Sequence, residues 1–130
     1  MKRIYWIIVL AVFTIGFSIL EQISINTVLS KVENKAYEIE KLINSNDEIL
    51  TTDLMKEKVE DITKYWTDKE NLLSYLINHD HTEEIGVCLD QLNSYLETNK
   101  PQEFKEMISL VIYYCKCHKQ ILIISMQNIL

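Results

Sequence analysis

The stretch KRIYWIIVLAVFTIGFSIL, Lys2 to Leu20, decides how this chain is read. Two cations, Lys2 and Arg3, precede seventeen uncharged residues, Ile4 to Leu20, and Glu21 ends the run. At helical rise the run is about 25 Å long, the short end for crossing a bilayer. Cations ahead of an apolar helix hold its N-terminus on the cytoplasmic side. Tyr5 and Trp6 at the leading edge suit the interfacial aromatic belt. Together these features predict a single-pass anchor over residues 1–22, in contact with membrane lipid. The competing reading is a cleaved signal peptide. Its apolar core would be longer than usual, and neither Ser18-Ile19-Leu20 nor Glu21-Gln22-Ile23 offers a small-x-small cleavage site.

Beyond the run the composition reverses. The chain carries 13 basic and 19 acidic residues; all the acids and 11 of the bases lie after Leu20, a net charge of −8 for that part. Nucleic-acid phosphates and anionic lipid surfaces repel such a domain, so nucleic acid is excluded as a partner class. The cation bias at the N-terminus places residues 23–130 outside the cytoplasmic membrane.

Gly16, Gly86 and Pro101 are the only glycines and proline in 130 residues. Strands need turns, and turns draw on such residues, so the chain reads as all-α. Helical spacing runs through Ile25, Val28, Val32, Ile39, Leu42 and Ile43, with no breaker between Leu20 and Asn44. The anchor is therefore expected to continue into the first helix of the domain. After the polar turn Asn44-Ser45-Asn46-Asp47, a second helix is expected to start at Thr51-Thr52-Asp53. Its stripe is Met55, Val59, Ile62, Trp66, Leu73 and Leu76. Asn78-His79-Asp80-His81 reads as the next turn, with Thr82 capping a third helix that presents Ile85, Leu89, Leu92 and Leu96. Thr98-Asn99-Lys100-Pro101 is the clearest break, with Pro101 in the first turn of a fourth helix. That helix carries Phe104, Met107, Ile108, Val111, Tyr114, Cys115, His118 and Leu122. Its end, from Ile121 to Leu130, is apolar on nearly every side and too short to cross a membrane. It is either buried all round or a contact surface. Four helices joined by short connections predict an antiparallel bundle.

Three cysteines and three histidines invite a metal reading, but Cys115 and Cys117 sit about 200° apart around a helix and cannot grip one ion. Cys115 and His118 share a face that Cys88 or His81 could join. The alternative makes Cys115 core and leaves Cys117 and His118 partly exposed. A Cys88–Cys115 disulfide needs favourable side-chain directions, and small unpaired thiols are the simpler expectation. His79-Asp80-His81 at a helix corner suits proton transfer or ion binding; the plainer reading is a polar turn. No nucleophile elbow, phosphate-cradling loop or HExxH pattern is present.

Several short motifs match a known family. They are Asn46-Asp47 ahead of a helix with Trp66 and Lys69, Asp80-His81-Thr82-Glu83, Leu89-x-x-Leu92-x-x-Tyr95, Asn99, His118 and the ending Asn128-Ile129-Leu130. In these the chain resembles the DUF4363 family of small proteins from Gram-positive bacteria. That resemblance implies an N-terminal membrane segment, a helical domain of this length and no established activity. Cys88 and Cys115-Lys116-Cys117 depart from the family pattern, which weakens a metal role for them. Asp80, His81, Glu83 and His118 remain as the candidate polar cluster. The chain is thus expected to be a non-enzymatic interaction or assembly module on the outer side of the membrane. It would need no cofactor and would work with a protein partner or a second copy. The rival expectation is a ligand- or metal-sensing domain at the His79-Asp80-His81 corner.

Overall fold

One helix, α1 (Lys2–Ser45), takes up the apolar run and continues unbroken through 44 residues. The computed structural model describes residues 1–46, 48, 51–76 and 79–129, with the side chains at 76, 79–81, 122, 125, 126 and 129 excepted. Three further helices follow: α2 (Asp53–Leu76), α3 (His79–Glu97) and α4 (Pro101–Ile129). There is no strand among the described residues. The chain is an all-α, four-helix bundle, with the first half of α1 projecting beyond it.

Each helix packs on its two neighbours in a ring: α1 on α2, α2 on α3, α3 on α4 and α4 back on α1. Ion pairs fix their directions. Lys35 reaches Asp61 at 2.5 Å and Lys58 reaches Glu38 at 3.1 Å, so rising numbers on α1 meet falling numbers on α2. Glu33 pairs with Lys119, and Ser109 donates to Glu40 at 3.5 Å, so α4 also runs antiparallel to α1. The α1–α2 and α3–α4 connections therefore lie at the end far from the apolar run. The α2–α3 connection and the end of α4 lie near it.

The expected stripes form the core. Ile25, Val28, Val32, Ile39 and Ile43 are buried on α1, joined by Leu29 and Ala36. Met55, Val59, Ile62, Trp66 and Leu73 face them from α2; Ile85, Leu89 and Leu92 from α3; and Phe104, Ile108, Val111 and Cys115 from α4. Full burial of an aliphatic or aromatic side chain stabilises by about 1.5–3 kcal/mol, so this shared interior, more than helix propensity, holds the four helices together.

Local signals explain most boundaries. Thr52 caps α2, its Oγ1 accepting from the Met55 N–H at 3.4 Å. α3 ends where Lys100 N–H donates to the Tyr95 carbonyl at 3.0 Å and Asn99 N–H to that of Leu96 at 3.4 Å. This is a Schellman closure, and it puts Asn99 in the left-handed region at φ 54°. Pro101 opens α4, where no N–H is needed. One boundary differs from expectation: α3 begins at His79 and not after Thr82. Thr82 is buried within the helix at 2% exposure, so packing draws the polar tripeptide before it into the first turn.

Candidate functional site

Of the candidate cluster only Glu83 and His118 have described side chains, and these two do not line the same groove. Of Asp80, His81, Glu83 and His118, the first two have side chains outside the description, though their backbone belongs to the first turn of α3. Glu83 is exposed and lines a shallow groove of about 420 Å³ between α3 and α4. Glu84, Val87, Cys88, Met107 and Tyr114 line the same groove, and His118 does not.

His118 differs from the expectation that it is partly exposed: it is buried at 5% exposure. It follows Val111 and Cys115 at helical spacing, on the face of α4 that is buried in the bundle. The ring stacks on Tyr114, with centroids 6.5 Å apart and planes 16° apart.

Lys119, the next residue, belongs to a polar layer between α1 and α4 that the sequence pattern did not reveal. Glu33 on α1 is buried and pairs with Lys119 on α4; their side chains are 10% and 25% exposed. Lys119 also donates to the Ser30 hydroxyl at 3.5 Å. Cys115 lies beside this pair. Burial first, and the Glu33 carboxylate second, push its thiol up to about 12, against an opposing pull from Lys119. Burial and the Glu84 carboxylate also raise the Cys88 thiol. All three cysteines are free thiols; Cys88 and Cys115 are buried and Cys117 is half-buried.

This chemistry is conservative. A thiol held protonated is a poor nucleophile and a poor metal ligand. No group of three or more His, Cys, Asp or Glu side chains converges on one point among the described residues. Between α2 and α3, Asn93 donates to the Thr63 hydroxyl at 3.0 Å. Trp66 is buried at 2% exposure, and its Nε1 has no hydrogen-bond partner among the described residues. That indole lies across from Gly86, where an added Cβ would sit 3.4 Å from Nε1. The approach explains why a glycine is accommodated in α3.

The most distinctive surface is α1 itself. Its apolar segment has a mean hydropathy of 2.1 over eighteen residues, and none of that window is buried. Trp6, Ile7, Leu10, Phe13 and Leu20 are each more than 60% exposed. Leaving so many large apolar groups in water is unfavourable, at about 25 cal/mol per Å². One helix is thus long and apolar enough to cross a membrane. Comparison with family models, with curated proteins and with solved structures gave no match.

Proposed function

We propose that this chain is a single-pass membrane protein whose bundle stands on the outer face of the cytoplasmic membrane and works by contact with other proteins or with a second copy. The DUF4363 resemblance belongs to the same reading. The carrying observation is the unbroken α1, whose exposed apolar half continues directly into a core helix. A helix continuous across that junction sets the height and orientation of the bundle, which suits an assembly part better than a tethered enzyme. The buried, protonated thiols and the separation of Glu83 from His118 support a non-enzymatic role.

The partner arm is tested by crosslinking the chain in intact membranes before gentle extraction. A discrete complex containing the chain, either with itself or with one recurring protein, is expected; a strictly monomeric chain contradicts the reading. Orientation is tested with a thiol reagent that cannot cross membranes. Cys117 is the accessible target, because Cys88 and Cys115 are buried. Labelling of intact cells, abolished by Cys117→Ser, is expected. Labelling only after lysis would put the bundle inside.

A further inference from the structure

Exposed apolar side chains also gather at one end of the bundle. Ile23 on α1 is 57% exposed, Leu72 and Tyr75 on α2 are 46% and 90% exposed, and Ile121, Ile123 and Ile124 on α4 are 47%, 55% and 56% exposed. They lie far apart in sequence, but the helix register brings them to one level. Lys31 and Lys35 both stand over the Tyr65 ring, and Lys35 also pairs with Asp61. Continuing that antiparallel register at helical rise puts Leu72 level with about residue 24 of α1 and Tyr75 with about residue 21. On the other side, Glu33 meets Lys119 and the Tyr37 ring meets Lys116. The same continuation puts Ile124 level with about residue 27 and the end of α4 with about residue 23.

Five of the six therefore fall within a layer about 12 Å deep that begins where the apolar run of α1 stops, and Ile121 stands just above it. On α1 and α4 the layer lacks charge, whereas α2 places Asp68, Lys69 and Glu70 at its level and α3 begins near it with Glu83 and Glu84. Residues 22–30 of α1 and residues 120–129 of α4 contain no Asp, Glu, Lys or Arg. The opposite end has another composition: Asn44, Ser45, Asn46, Glu48, Thr51, Thr98, Asn99 and Lys100 are exposed there.

A hydrocarbon core about 30 Å thick, entered at Ile4, reaches about residue 23, and the headgroup zone extends about 5–7 Å further. Counted from residue 21, the last levels of the core and this zone together span about 8–12 Å, which matches the layer of five side chains. We propose that the base of the bundle is seated in the bilayer interface, with the ends of α2 and α4 in contact with lipid beside α1. This inference rests on the anchor reading above and adds a second, non-spanning membrane contact to it. The α2 and α3 side of the base is acidic and the α1 and α4 side uncharged, so nothing there attracts anionic lipid; the occupant is the interfacial zone of a zwitterionic bilayer, met by the α1 and α4 side. Seating also accounts for the short span, because the apolar surface extends past residue 20 onto neighbouring helices. Tyr75 has the aromatic body and polar tip that suit this depth.

The test uses the full wild-type chain in phosphatidylcholine vesicles containing a phosphatidylcholine with a photoreactive group near the top of its acyl chain. Adducts are read by peptide mass spectrometry. Adducts are expected on peptides covering residues 4–23, 72–75 and 121–124, and not on the peptide carrying Leu54, an exposed apolar residue at the far end. In the double variant Ile123→Glu and Ile124→Glu, the α4 adducts should be lost while the anchor adducts persist. Adducts confined to residues 4–23 in the wild type would overturn the seating while leaving the anchor intact. A disulfide-linked dimer formed in the same vesicles by Ile124→Cys combined with Cys117→Ser, with no lipid adducts on residues 121–124, would give that face to a second copy and would also overturn it. Absence of adducts even on residues 4–20 would remove the anchor reading and the seating with it.

Discussion

Within α1, residues 4–20 turn apolar side chains outward on every face, whereas from residue 25 to 43 the apolar side chains form one buried stripe. The backbone is the same helix throughout; the surroundings it is built for are not. The first half has no packing partner among the described residues and carries no charge. The second half alternates stripe and charge, and its burial comes from α2 and α4. Hydrophobicity on all sides marks a helix for lipid, and hydrophobicity on one side marks it for a core. At the junction, Glu21 and Gln22 are half-buried and Ile25 is the first core residue.

Substitutions in the two halves should separate these roles. The largest effect is expected from Val12→Arg combined with Phe13→Arg in the middle of the exposed run. Each charge at the centre of a span costs about 2.5–3.5 kcal/mol of insertion. Alkaline extraction of membranes should then release the chain. Release of the wild type as well, or none of the double variant, would break the comparison. Next comes Ile39→Ala in the core half, which should lower the stability of the bundle by about 2–5 kcal/mol without releasing it from the membrane. Denaturant unfolding checks this, with Ile8→Ala as the counterpart that should barely move the transition.

A smaller effect is expected in the polar layer. Lys119→Met leaves the Glu33 carboxylate buried without its cation. A fully buried pair broken in this way costs about 3–5 kcal/mol; with Lys119 a quarter exposed, about 1–3 kcal/mol is expected. Adding Glu33→Leu to Lys119→Met should restore most of the loss, measured by the same unfolding transition. The Cys115 thiol bears on alkaline stability too. Its folded value is raised from 9.0 to about 12, so the folded state holds the proton more tightly than the unfolded one. Its contribution is therefore complete below pH 9 and is lost as pH rises from 9 to 12. Cys115→Ala should flatten the fall in unfolding midpoint across that window. The smallest change is expected at Asn99, whose φ of 54° suits Asn and Gly but strains a branched side chain. Asn99→Val should cost about 1 kcal/mol, and Asn99→Gly should be neutral or slightly stabilising.

The bundle was legible because its stripes are regular and its breaks few. Every described residue of the α2 stripe is buried, and Thr52 and Pro101 marked helix starts correctly. The start of α3 was misread because His79-Asp80-His81 has turn-like composition, and local composition yielded to the packing of Thr82. Glu33 escaped notice because a carboxylate on a helix normally faces water, and the partner that admits it, Lys119, comes from another helix. His118 differs from expectation for a related reason: its burial depends on how α4 packs in the bundle. The apolar base was legible only as an ambiguous ending, Ile121 to Leu130; register with α1 and α2 was needed to show that three helix segments share one level.

The central claim is that one rigid helix passes from lipid into the core of the bundle. Hydrogen–deuterium exchange on the full chain in phosphatidylcholine nanodiscs, resolved along α1, tests it directly. Slow exchange should run without a gap from residue 6 to residue 43, with the junction at residues 20–25 as protected as its flanks. Fast exchange confined to that junction would contradict a continuous helix, and fast exchange across residues 4–20 would contradict the membrane span itself.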